Sequence, residues 1–143
     1  MALQKWSIEL KTDLSEIERM SEWIEQFGCR HELPAGVVFQ LNLALEEIVT
    51  NVISYAFDDD EGHKVEVGLS VNVHGNELEA FVKDEGNPYD PTHAAPPDLE
   101  APLEERRVGG LGVHLVREMM DEVSYSRVGN KNVLSLKKLI SDG

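Results

Sequence analysis

A chain of 143 residues, 41% apolar and 28% charged, has the composition of one folded domain with a real core and excludes a disordered polymer. The formal net charge of −14 excludes a nucleic-acid surface, which needs a basic face, and leaves any phosphate ligand to be held by backbone amides and a metal ion. A lone cysteine (Cys29), a charged N-terminus and the lack of a run of about 18 apolar residues argue against a disulfide, a leader and a membrane span, and point to the cytoplasm.

In chain order, Lys5 to Lys11 alternates Trp6, Ile8 and Leu10 against polar neighbours, which predicts a half-buried strand. Asp13 or Ser15 then caps a predicted helix with Leu14, Ile17, Met20, Trp23, Ile24 and Phe27 inward, ended by Gly28. Leu33-Pro34 opens the main helix, with Pro34 in its first turn, and that helix runs to about Phe57. Its apolar stripe is Val38, Leu41, Leu45, Ile48 and Val52. Glu47 and Asn51 fall together on one flank of the stripe, and Glu46 points to solvent.

Asp58 to Gly62 reads as an acidic turn, and Lys64 to Val73 as a strand with Val65, Val67, Leu69, Val71 and Val73 on one face. His74-Gly75-Asn76 turns the chain, and Glu77 to Lys83 returns. Periodicity then disappears from Asp84 to Val108, about 25 residues carrying Pro88, Pro91, Pro96, Pro97 and Pro102, a length that suggests a functional lid. Gly109-Gly110-Leu111-Gly112 opens a third helix with Leu111, Leu115, Val116 and Met119 inward. Val123 to Arg127 and Asn132 to Leu139 are the last strands, joined by a turn at Gly129-Asn130. The order β-α-α-β-β-loop-α-β-β predicts a two-layer α/β sandwich: a mainly antiparallel mixed sheet with about three helices on one face.

Three groups of residues carry chemistry. A carboxylate at Glu47 can take a proton from a hydroxyl or water, and an amide oxygen at Asn51 can hold a hard cation, although such a pair is also an ordinary solvated helix flank. Asp84, in Asp84-Glu85-Gly86-Asn87-Pro88, can accept from an exocyclic amino group while Gly86 lets a ligand approach the backbone; a plain strand-ending turn has the same pattern. The glycines at 109, 110 and 112 leave helix N-terminal amides open to an anion, or form a hinge. No Gly-Lys-Ser/Thr or Gly-x-Ser-x-Gly is present, and Leu115 stands where a dinucleotide fingerprint needs its third glycine. The five histidines have no metal-ligand spacing.

Glu47-x-x-x-Asn51, Asp84-x-Gly86-x-Pro88 and Gly109-Gly110-Leu111-Gly112, in that order, resemble the Bergerat ATP-binding fold of gyrases, histidine kinases, chaperones and mismatch-repair ATPases. The resemblance spans residues from about 10 to 140. Within that superfamily, EEIVTNVISYAF, DEGNPYDP and GGLGVHLVREMMDEVSYS are most similar to the small anti-sigma-factor serine/threonine kinases.

The resemblance implies a histidine-kinase-like ATPase domain over 1–143, with an ATP lid at about 85–108. It implies Glu47 as general base, Asn51 as the Mg²⁺ ligand, and Asp84, Gly86 and Pro88 at the adenine. Gly110 and Gly112 would wrap the phosphates of ATP, Gly109, Leu111 and Val113 would also line the nucleotide, and Asn132, likewise at the nucleotide, stands on the final strand where the family often has a threonine. Tyr55 replaces the family's histidine near the end of the main helix. The chain offers no upstream phospho-accepting hairpin and no downstream transducer, so the expected function is a serine/threonine kinase of a partner switch. Its implied partners are a small anti-sigma-factor antagonist bearing the acceptor serine and a sigma factor or other regulator, with a homodimer as the implied assembly. The alternative is a nucleotide-gated binding module that transfers nothing.

Overall fold

Strand alternation decides which side of the sheet is buried. A computed structural model gives the fold, and the structure describes residues 3–57, 62–72, 76–88 and 116–140. Five strands, β1 (Leu3–Lys11), β2 (Lys64–Asn72), β3 (Glu77–Asp84), β4 (Glu122–Val128) and β5 (Lys131–Leu139), form one sheet in the order β1-β2-β3-β5-β4. Every described pairing is antiparallel, so the expected mainly antiparallel sheet has no parallel pair among these strands. Helices α1 (Glu16–Arg30) and α2 (Ala35–Tyr55) follow β1, and a helical turn at 116–119 precedes β4. This is the two-layer α/β sandwich that the element order predicted.

The core lies between the helices and one face of the sheet. Val65, Val67, Leu69 and Val71 of β2 and Leu78, Ala80 and Val82 of β3 are buried there, in one cluster with Met20, Ile24 and Phe27 of α1 and Leu41, Ala44, Leu45, Ile48 and Val49 of α2. Val116 and Met120 join the cluster from the helical turn, whose Met119 carbonyl accepts a bond from Lys138 Nζ at 2.9 Å. The opposite face is mostly polar, with Phe81, Val128, Val133 and Leu139 also on it: Lys137 lies 3.7 Å from both Glu79 and Glu122, exposed pairs that contribute little.

Several boundaries differ from the sequence expectation, each for a physical reason. Gly28 does not end α1; it is buried inside it, where a Cβ would come within 2.5 Å of Val38, so the missing side chain lets α2 approach α1. The left-handed residue after the helix is Glu32 (φ 54°), and the Leu33 amide returns to the Gly28 carbonyl at 2.9 Å. Leu14 precedes the helix and is exposed. Pro34 is the N-cap of α2, one residue before the first turn, and its carbonyl accepts the Val37 and Val38 amides. Val38 and Val52 are only partly buried, because the stripe facing the sheet is centred on Leu41, Leu45, Ile48 and Val49.

Although Gln40, Asn42, Glu46 and Glu47 interrupt its apolar residues, α2 is long and apolar enough on average over 18 residues to pass as a membrane span, with a mean hydropathy of 1.3. Its apolar stripe is used in packing against the sheet, which accounts for that composition without a bilayer.

Candidate functional site

β3 ends at Asp84, and alternation with Leu78, Ala80 and Val82 places its carboxylate on the helix side of the sheet. One row of paired residues, Leu10–Val65–Asp84–Asn132–Arg127, crosses all five strands there. Its first two members are core, and the next three form a polar network at the margin of that core.

Asp84 is 5% exposed and Asn132 6%, so both need internal partners. Asp84 Oδ1 accepts the Gly86 amide at 2.8 Å and Asn132 Nδ2 at 3.0 Å. Those two donors saturate Oδ1, and Oδ2 carries no bond among the described residues, which leaves it for a ligand's amino group. Asn132 Nδ2 also donates to the Asn87 carbonyl at 2.9 Å. Asn132 Oδ1 accepts from the Tyr125 hydroxyl and from Arg127 Nη1 at 3.2 Å. The same Arg127 nitrogen donates to the Gly86 carbonyl at 2.7 Å.

Gly86 sits against the C-terminal end of α2. A Cβ added to it would meet the Ala56 carbonyl oxygen at 2.5 Å and the Ala56 Cβ at 2.6 Å, so no side chain fits. The next amide, Asn87 N–H, donates to that Ala56 carbonyl at 2.8 Å. The turn after Asp84 is thereby joined to the helix that carries Glu47 and Asn51. Pro88 follows, exposed.

On α2, Glu47 and Asn51 are one turn apart, about 40° from each other around the axis. Asn51 is 8% exposed, and its side chain has no hydrogen-bond partner among the described residues. A mostly buried, unpartnered amide suits an oxygen ligand to a hard cation such as Mg²⁺, which keeps most of its waters and needs few protein oxygens. Glu47 is half-buried at the same flank, and Glu46, expected in full solvent, is half-buried too. Tyr55 is exposed at the end of the helix.

The structure therefore brings together Asp84, Gly86, Asn132 and the end of α2 that bears Asn51. Gly109, Gly110, Leu111, Gly112, Val113 and all of the lid expected at about 85–108 except 85–88 lie outside the described residues. Sequence reading missed Tyr125 and Arg127. The two-residue turn at Gly129-Asn130 sets Arg127 opposite Asn132, and that register was the available signal. A hollow of about 330 Å³ at the same end of the sheet is lined by Asp84 and Glu85 together with Phe57, His63, Lys64, Lys83 and Lys131 among others.

Residues 10–138 match the model of the histidine kinase-like ATPase domain family. The serine/threonine-protein kinase BtrW of Bordetella bronchiseptica is 31% identical over 130 residues, covering 91% of this chain and 90% of that protein. The serine-protein kinase RsbW of Oceanobacillus iheyensis is 29% identical over 60% of this chain and 56% of its own length. A solved structure of the RsbU and RsbW domains of a Mycobacterium tuberculosis protein superposes with a TM-score of 0.71 over 98% of this chain and 33% of that one, at 12% identity, which shows the shared fold. The chain belongs to the histidine kinase-like ATPase family, in the branch of the RsbW- and BtrW-type protein serine/threonine kinases.

Proposed function

We infer that this chain transfers the γ-phosphoryl group of ATP to a serine of a small antagonist protein and holds a regulator, such as a sigma factor, in the alternate state of a partner switch. In this reading the acceptor hydroxyl attacks the γ-phosphorus, its proton passes to the Glu47 carboxylate, and ADP leaves. Asp84 receives the adenine amino group through Oδ2, Gly86 makes room beside it, and Asn51 contributes an oxygen to Mg²⁺. The cation would neutralise charge on the phosphates. Gly109, Gly110, Leu111, Gly112 and Val113 are assigned to the phosphates by their place in the sequence, under a lid at about 85–108.

The observation that carries this reading is the 2.8 Å bond from the Asn87 amide to the Ala56 carbonyl, which ties the base-reading turn to the end of the Glu47/Asn51 helix. The relatives' names, protein kinases in both cases, support transfer rather than mere gating. The cytoplasm, where ATP and such regulators meet, is the compartment this function requires, and a homodimer is the assembly we expect.

The test is phosphate transfer from labelled Mg-ATP to candidate antagonist proteins, with and without the regulator. Transfer to one serine confirms the kinase. ATP-dependent partner binding with no transfer to any candidate replaces it with the binding module.

A further inference from the structure

The edge strand β4 reaches the buried Asp84 carboxylate through a chain of side-chain hydrogen bonds. Arg127 Nη1 donates to Asn132 Oδ1 at 3.2 Å, and Asn132 Nδ2 donates in turn to Asp84 Oδ1 at 3.0 Å. The Tyr125 hydroxyl donates to the same Asn132 oxygen. An amide that accepts at its oxygen from a cation and a phenol, and donates from its nitrogen to a carboxylate and a carbonyl, has only one satisfied orientation. Each bond polarises the next in the same direction, and the low dielectric strengthens the buried Asn132–Asp84 bond most, since Arg127 itself is exposed. The same guanidinium nitrogen holds the Gly86 carbonyl at 2.7 Å, so it fixes the turn and the amide together.

We propose that Arg127, assisted by Tyr125, is a positioning residue for nucleobase selection: by orienting Asn132 it occupies Asp84 Oδ1 and leaves Oδ2 as the acceptor for the six-amino group of adenine. This rests on the reading of Asp84 as the adenine contact. Arg127 touches neither the base nor the phosphates in this role. Its effect appears in the choice of base, not in the transfer step. A hydroxyl at position 132 would offer one donor where the amide offers two, so the longer relay through Arg127 accompanies the asparagine.

Calorimetry of the full chain with Mg-ATP and with Mg-inosine triphosphate, whose six-oxo group replaces the amino donor, tests the assignment beside thermal unfolding of each variant. Arg127→Ala is expected to weaken ATP about tenfold, the worth of one charge-assisted bond, while inosine triphosphate binding stays unchanged and the preference between them collapses. Arg127→Lys, which keeps a cation and a donor for the Gly86 carbonyl, recovers part of it. Equal weakening of both nucleotides means that Arg127 merely holds the hairpin and overturns the proposal, as does wild-type selectivity in Arg127→Ala. If Arg127→Ala unfolds, Tyr125→Phe, which removes a donor to Asn132 and no backbone contact, is judged by the same ratio. Asp84→Asn separates the two layers: loss of selectivity there with none in Arg127→Ala sinks only the role of Arg127. Selectivity retained in Asp84→Asn sinks the adenine reading itself.

Discussion

Asn132 and Asp84 face each other across β5 and β3, and the 3.0 Å bond between their side chains is buried on the helix side of the sheet. The Asp84 carboxylate is thus part of the strand pairing that holds the fold. Asp84→Ala removes the acceptor for both Asn132 Nδ2 and the Gly86 amide, and should cost about 1–3 kcal/mol of stability along with nucleotide binding. Asp84→Asn keeps an oxygen for both donors but turns an N–H toward the ligand's amino group. It should unfold close to wild type while losing ATP, and the pair of variants measured by thermal melting and calorimetry separates fold from recognition.

Glu47→Gln preserves shape and hydrogen bonding and removes the carboxylate proposed as the base. Mg-ATP affinity should stay within a few-fold of wild type, and transfer should fall by about 10²–10⁴, the usual worth of a positioned base. Glu46→Gln, about 100° away around α2, should cost little in transfer. Because both carboxylates are half-buried, burial alone does not distinguish them, and similar losses in a single-turnover assay would remove the role assigned to Glu47.

Two glycines should respond to alanine in opposite directions. Gly86→Ala forces a Cβ onto backbone, at 2.5 Å from the Ala56 oxygen, and should destabilise by about 1–3 kcal/mol and abolish nucleotide binding. Gly36, in the first turn of α2, has open space around the same added atom. Gly36→Ala should stabilise by up to about 1 kcal/mol through helix propensity, read from denaturant melts.

His31 packs against Phe27 at 4.5 Å and Trp6 at 6.1 Å, with Nε2 buried and unpartnered. Burial, and secondarily the Arg30 charge, holds its pKa below the ordinary value of 6.5. The folded state therefore favours the neutral ring. Its contribution to stability is fully present above the unfolded pKa and is lost as pH falls through the folded one. Asp13, held low by bonds from Ser15, and Glu16, held low by Arg19, act in the same direction only in the lower carboxylate range. His31→Gln should accordingly flatten the fall in denaturant midpoint between neutral pH and about pH 5, in the range set by the histidine. An unchanged slope would show that the ring titrates freely in the folded protein.

Periodicity was enough to read the sheet and the two long helices, because β2 alternates cleanly and α2 repeats its apolar stripe over about four turns. It failed where tertiary contact overrides a local signal. Gly28 looks like a helix stop and is a packing contact, and Leu14 looks inward but precedes the first helical turn. Asp84 and Gly86 were read from the local Asp-x-Gly pattern and Asn132 from its place on the final strand in the family resemblance, and the structure brings the three side by side. Arg127 was not, since its partners are a carbonyl 41 residues away and an amide across a hairpin. An arginine on an edge strand has the same composition whether it faces solvent or a buried network.

The pairing of Asp84 with Asn132 also bears on how quickly the protein becomes competent. The β2–β3 and β4–β5 hairpins each close over a short turn, whereas the residues of this pair are 48 apart in sequence. Bringing them together carries the larger chain-entropy cost, so the two halves of the proposed base site meet only when the hairpins dock. A nucleotide that needs both halves has nothing to grip before that step. Stopped-flow measurements should show Mg-ADP slowing unfolding in proportion to its occupancy while leaving the folding rate unchanged.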